Sequence, residues 1–177
     1  MFIFNKISIP IAIVSMLTVF SSHADVLIDV TATMVEPVCN VRSENSSSPL
    51  KIGFNSVNIA SLSQSAIVKD FSLYISDCNF NNTLAVMMTS KSGSTLLYNG
   101  KNILATSTDG LGIDFNEVTG GTVRPLEMNK NQRIYPERVD ETLYRLDLQA
   151  QLVSTLPINE LALGKFTSTV TFSVTYY

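Results

Sequence analysis

Few side chains in this sequence are equipped for covalent or acid–base chemistry, and those that are favour cross-linking over turnover. There are two cysteines, Cys39 and Cys78, and one histidine, His23. The cysteines are too far apart for a C-x-x-C redox pair. An even cysteine count in an exported chain points to one structural disulfide. The loop closed would span about 40 residues, worth roughly 4 kcal/mol in the chain-entropy treatment. Asp109 and Asp114 flank the glycine-rich Gly110-Leu111-Gly112. Paired carboxylates there could share acid–base work, but loop aspartates are far more often turn formers. The G-x-G lacks a third glycine and a following helical pattern, so it reads as a bend into a strand and not as a phosphate cradle. No G-x-S-x-G segment and no metal-ligand spacing occurs. The sequence therefore offers no catalytic residue, no metal site and no cofactor site.

The elements around these residues are strands. Residues 1–24 carry Lys6, an apolar run over 7–20 interrupted by Pro10, and small residues Ser22 and Ala24 before an expected cut after Ala24. This is the layout of a secretory signal. The alternative is a transmembrane anchor, for which the run is shorter than the ~20 residues needed. Cleavage would remove His23 and leave about 150 residues, one domain by length. The chain has a net charge of −3 and no basic run, which argues against a nucleic-acid partner. Nothing after the leader is apolar and long enough to span a membrane.

Two stretches alternate at period two with β-branched and aromatic residues, as half-buried strands do. In residues 164–177, Phe166, Val170, Phe172, Val174 and Tyr176 share one face, broken only by Ser168, with Thr167, Thr169, Thr171, Ser173 and Thr175 opposite. In residues 25–36, ahead of the first cysteine, Val26, Ile28, Val30, Ala32 and Met34 share a face. An open edge this regular is an aggregation hazard, so each stretch is expected to be covered. The pattern alone leaves open whether the cover lies in the same domain or in a neighbour.

Between them the chain reads as further strands. Phe71, Leu73 and Ile75 share a face, and so do Leu146, Leu148, Ala150 and Leu152. Leu50, Ile52 and Phe54 also alternate, and Val57, Ile59 and Leu62 are expected to pack beneath a connection. Residues 84–89 read as a strand, and Asn99-Gly100 signals a hairpin. About eight strands at these spacings suit a two-layer sandwich.

The two ends together resemble the chaperone-usher pilus subunits, the type 1-like fimbrial pilins of Gram-negative bacteria. The likeness rests on the alternating extension over 25–36, the pair Cys39 and Cys78, the Gly110-Leu111-Gly112-Ile113 segment, a glycine fourteenth from the end (Gly164) and a penultimate tyrosine (Tyr176). Ala32 stands where many family extensions carry glycine, and Val38 separates Pro37 from Cys39. The resemblance implies an all-β fold, an incomplete immunoglobulin-like sandwich lacking its final strand. It implies a signal peptide over 1–24, a donor-strand extension over 25–37 and a pilin domain over 38–177. The inserting side chains would be Val26, Ile28, Val30, Ala32 and Met34. Gly164, Phe166, Val170, Phe172, Val174, Tyr176 and Tyr177 would form the groove edge that a chaperone contacts.

The function implied is a structural fimbrial subunit, assembled head to tail by donor-strand exchange and contributing to cell adhesion, with Ala32 and the low glycine and alanine content pointing to a minor subunit. Its partners would be a periplasmic pilus chaperone, an outer-membrane usher and neighbouring pilin subunits. Its route would run through the periplasm to the cell-surface fimbrium. A single-domain tip adhesin or secreted binding module is the alternative, and a secreted enzyme is a third reading that only the aspartates favour.

Overall fold

Where apolar and polar residues alternate, a strand can bury one face and wet the other, and that rule builds most of this protein. The structure is a computed structural model that describes residues 37–44 and 49–177. The strands are β1 (Asn40–Ser43), β2 (Ile67–Ser76), β3 (Leu84–Ser90), β4 (Thr95–Tyr98), β5 (Lys101–Ala105), β6 (Leu111–Glu117), β7 (Arg124–Leu126), β8 (Gln132–Arg133), β9 (Glu137–Arg138), β10 (Leu143–Ser154) and β11 (Val170–Tyr176). A single helical turn, α1 (Ser61–Gln64), lies in the connection after β1.

The strands form two sheets. The larger runs β1-β2-β10-β6-β5-β4, with β7 added on β6 and β9 on β10. The smaller runs β11-β3-β8. Neighbours pair antiparallel throughout, with Leu146 opposite Leu73 on β2 and Ala150 opposite Phe115 on β6. The inward residues of both sheets meet in one core. Ile75, Leu146, Leu148, Ala150 and Phe115 come from the larger sheet, and Leu84, Val86 and Met88 from the smaller. This is the expected two-layer sandwich, and the alternation over 67–76 and 143–154 is realised as read.

Two glycines have structural work in the Gly110-Leu111-Gly112-Ile113 bend. Gly110 has φ +73°, a conformation L-residues avoid, and a Cβ there would run into the Leu156 side chain. Gly112 lies flat against β5, where a Cβ would meet Ile103 Cδ1 at 2.5 Å and the Leu104 carbonyl oxygen at 3.2 Å. Asn99 and Gly100 both have positive φ, as the hairpin between β4 and β5 requires.

Two local expectations differ from what is found, and three short strands carry no sequence signal. The alternation of Leu50, Ile52 and Phe54 does not form a strand. Phe54 instead joins Val57, Ile59 and Leu62 in a second apolar cluster around Leu111, Leu152 and Leu161. Side-chain burial, not a backbone ladder, accounts for that pattern. Conversely, the polar stretch after residue 123 supplies the short strands β7, β8 and β9, too brief for any period to show. The final strand begins at Val170 and not at Gly164.

Candidate functional site

Among the described residues strand β11 is laddered on one side only, and this is the root of the site. Its register runs from Val170 opposite Ser90 to Tyr176 opposite Leu84, all against β3. Val170, Phe172, Val174 and Tyr176 are half-buried and pack on the main core, while Thr171, Ser173 and Thr175 are exposed. The inward row is thus not sealed. Across from it, β1 is the outer strand of the larger sheet and pairs with β2 alone. Among the described residues no strand stands between β1 and β11.

A groove of 1190 Å³ opens there. Val41 and Arg42 of β1 line one wall, Val170 and Phe172 of β11 the other, and Phe71, Leu73, Leu104, Phe115 and Ala150 the floor. Three rings organise the floor. Phe115 meets Phe172 edge to face with centroids 5.4 Å apart, and Phe71 contacts both at 6.3 and 6.1 Å. Edge-to-face contact is the favoured arrangement of aromatic quadrupoles. It ties the edge strand β11 to the larger sheet across the groove.

The residues before β11 turn away from β3. Ser168 interrupts the apolar row for a physical reason, since its hydroxyl donates to the Ala105 carbonyl at 2.6 Å. The Thr167 N–H donates to Ser107 Oγ, and the Ser107 N–H donates to the Thr167 carbonyl. Residues 167 and 168 therefore reach over to the end of β5 in the other sheet. Phe166 lies 6.3 Å from Phe54 and belongs to the second apolar cluster. Gly164, with φ +146°, and exposed Lys165 precede it.

The two walls are secured at the other end. Cys39 and Cys78 form a disulfide with Cα atoms 4.6 Å apart, so the start of β1 is tied to the chain just beyond β2. The Tyr176 hydroxyl accepts from the Asn79 N–H at 2.8 Å and donates to the Pro37 carbonyl at 2.8 Å. Tyr177 donates its backbone N–H to Thr83, and its side chain is exposed.

The carboxylates Asp109, Asp114 and Glu117 are not among the residues that line the groove. Asp114 is buried and ion-paired with Lys101 at 2.7 Å, while Asp109 is exposed, so the two aspartates have different environments. Glu117 is fully buried. Burial raises its pKa, and a hydrogen bond from the Tyr135 N–H, the charge of Arg124 and the Thr119 hydroxyl pull against that shift. Arg124 also lies 4.4 Å over the Tyr135 ring. Among the described residues no group of three or more His, Cys, Asp or Glu could hold a metal ion.

The groove edge read from the sequence is therefore split. Val170, Phe172, Val174 and Tyr176 lie on β11, whereas Gly164 and Phe166 precede it. The expected inserting residues Val26, Ile28, Val30, Ala32 and Met34 lie outside the described residues. The alternation did not disclose β1 as the facing wall, because its four residues are too few to show a period. Nor was Glu117 singled out, although it sits in phase with Ile113 and Phe115 on the inward face of β6.

The family model described as fimbrial protein matches residues 28–177. The chain belongs to the fimbrial protein family. No curated protein matches it. Among solved structures, the P pilus rod subunit PapA is similar with a TM-score of 0.56 at 14% identity, over 78% of this chain and 99% of that one. The P pilus adaptor subunit PapF is similar with a TM-score of 0.54 at 17% identity, over 81% of this chain and 98% of that one. A chaperone-usher pilus subunit is similar with a TM-score of 0.57 at 14% identity, over 90% and 99% respectively. The fold of this fimbrial subunit is the immunoglobulin-like pilin sandwich, and its role is structural. No helix among the described residues is long and apolar enough to cross a membrane.

Proposed function

We propose that this fimbrial subunit joins its neighbours by strand addition. An extended segment of another chain lies in the groove between β1 and β11, and residues 25–36 of this chain lie in the groove of the next. The observation that supports this best is the half-buried inward row of β11, laddered on one side among the described residues and facing a groove with an aromatic floor. Strand addition supplies main-chain hydrogen bonds along the edge and pockets for alternate side chains. Val26, Ile28, Val30, Ala32 and Met34 are the inserting row. Burying such an aliphatic side chain contributes about 1.5–3 kcal/mol, and several together outweigh the ordering cost of the segment. A contact that is not self-complementary and does not close gives a filament.

Before assembly the groove is covered by a periplasmic chaperone, against Gly164, Phe166 and the β11 row, with the exposed Tyr177 terminus offered to basic chaperone residues. An outer-membrane usher passes the subunit to the cell surface. The similar proteins include a rod subunit, an adaptor subunit and a chaperone-usher pilus, in keeping with these partners. In this reading residues 1–24 are a cleaved signal, 25–37 the donor extension and 38–177 the pilin domain, and no catalysis is involved.

The test is expression in a periplasm with and without a pilus chaperone, alongside a chain lacking residues 25–36. The full chain should be soluble with chaperone and enter fibres. The deleted chain should fold with chaperone but fail to pass on the fibre. Fibres continuing beyond the deleted subunit would overturn the reading.

A further inference from the structure

Where the two sheets meet, two guanidinium groups share one exposed ring. Arg124 stands on β7, opposite Glu117 of β6 in the larger sheet. Arg133 stands on β8, opposite Ala85 of β3 in the smaller sheet. Their guanidinium carbons lie 4.4 and 4.9 Å from the centroid of the Tyr135 ring. Stacking on an aromatic face holds an arginine while leaving N–H groups at its edge able to donate. Tyr135 is 44% exposed, and Val123 beside Arg124 is 64% exposed. None of these residues lines the groove between β1 and β11.

Glu117 fixes this cluster from the core side. It is fully buried. Its Oε1 accepts from the Tyr135 N–H at 2.8 Å and lies 3.6 Å from Arg124 Nη1. Arg124 Nη1 also donates to the Thr119 carbonyl at 3.4 Å. A carboxylate in a core costs stability, and here it holds the backbone of the ring and one of the two guanidinium groups. It offsets charge on Arg124 alone. Arg133 is exposed and takes part in none of the ion pairs found among the described residues. Of the neighbouring carboxylates, Glu127 pairs with Lys130 and Glu137 with Arg145. With Glu117 ionised, the cluster keeps one net positive charge. Two like charges held at one ring repel each other, and an anion between them relieves the repulsion.

One net charge suits a monoanion, and the planar guanidinium fork matches a planar carboxylate. The surroundings narrow the carrier. Glu127, Glu137, Asp140 and Glu141 follow in the same stretch of chain and repel a surface dense in negative charge, such as an anionic membrane. Val123 and Tyr135 are the apolar residues the cluster exposes, short of the apolar centre of a protein interface. A flexible polymer with one carboxylate per sugar meets neither obstacle.

We propose that Arg124, Arg133 and Tyr135 form a binding site for the carboxylate of an acidic polysaccharide, a polymer of uronic acids. Arg133 supplies the uncompensated fork, Arg124 the second, and the Tyr135 ring holds both at the surface. A fibre repeats the site at every subunit, so a contact weak at one subunit is multiplied along a long polymer.

The experiment uses the full chain isolated from the periplasm, with its chaperone where it needs one, and immobilised polygalacturonate as the probe. Binding should be measurable at about 0.02 M salt and should fall as salt rises to about 0.5 M. Arg133→Gln should weaken it about tenfold. Arg133→Lys should recover only part of the loss, because a point charge lacks the fork. Lys69→Gln, which removes the same charge from β2, should leave binding nearly unchanged. Equal losses from Arg133→Gln and Lys69→Gln would overturn the site and leave a nonspecific charge effect. Methyl-esterified polygalacturonate, whose carboxyl groups are neutral, should not bind, and its binding would overturn the carboxylate as the group recognised. Polyglutamate bound as tightly, with the same dependence on Arg133, would overturn the sugar polymer as its carrier. No binding of polygalacturonate would overturn the proposal outright. The Arg133→Gln chain should still enter fibres, so loss of this site and failure of strand addition are read separately.

Discussion

The Tyr176 hydroxyl lies 2.8 Å from the Pro37 carbonyl oxygen, bonding the end of the edge strand β11 to the residue two before Cys39. The Tyr176 hydroxyl oxygen also accepts from the Asn79 N–H, one residue beyond the disulfide. One hydroxyl thus connects the β11 wall of the groove to the chain on both sides of the disulfide.

Tyr176→Phe keeps the ring and removes both hydrogen bonds. The part-buried Asn79 N–H then lacks its partner, at a cost of about 1–2 kcal/mol. Amide exchange at Asn79 should quicken, and the urea midpoint should fall with an unchanged slope. Thr175→Ala, on the exposed face, should stay within about 0.5 kcal/mol. If the two substitutions behave alike, the hydroxyl bridge contributes nothing.

Gly112→Ala should destabilise the sandwich by about 1–3 kcal/mol, because the new methyl meets Ile103 and the Leu104 carbonyl on β5. Backbone on one side of the clash cannot swing aside as a side chain can. Gly93→Ala is the converse case: Gly93 has φ +76°, which Gly112 does not share, and nothing lies within 4 Å of its Cβ position. Its cost should be that of the backbone conformation alone. Thermal melts of the two variants, purified in the same folded form, separate crowding from backbone strain.

What the sequence disclosed and what it hid follow from the same physics. Strands β2, β10 and β11 bury one face over seven or more residues, and that length lets a two-residue period stand out. The short β7, β8 and β9 are held by their neighbours, as in the pairing of Arg145 with Glu137 at 3.5 Å, and leave no hydrophobic trace. Leu50, Ile52 and Phe54 alternate without a ladder because apolar filling can mimic a strand. The groove was half legible. Its β11 wall is announced by Phe172 and Val174, whereas its β1 wall is a short segment whose role depends on Cys39 and on pairing with β2.

Replacing Cys39 and Cys78 together by serine should cost up to about 4 kcal/mol, the scale expected for closing a loop of this length. The loss should fall unevenly. Strand β1 pairs with β2 over four residues only, so its start depends on the bond to Cys78. Hydrogen exchange should increase most in residues 40–43, and affinity for a groove-filling peptide should drop along with global stability. A denaturation midpoint indifferent to reductant would show that the cross-link does not support this wall.

Glu117 sets a pH dependence whose sign is opposite to that of an ordinary salt-bridged carboxylate. Burial raises its folded-state pKa above the ordinary 4.5, despite the bond from Tyr135 and the nearby Arg124. The folded protein therefore holds this proton more tightly than the unfolded chain does. The group's contribution favours folding fully below the unfolded value, and it is lost as pH rises through the raised folded value. Glu117→Gln resembles the protonated form, with an amide oxygen still able to accept from Tyr135. The variant should be more stable than the native chain at neutral pH, and its advantage should shrink as pH falls below the ordinary carboxylate range. Urea titrations of both proteins across that interval measure the difference. A glutamine variant that is less stable at neutral pH would mean that the Arg124 and Tyr135 contacts outweigh the burial of the charge.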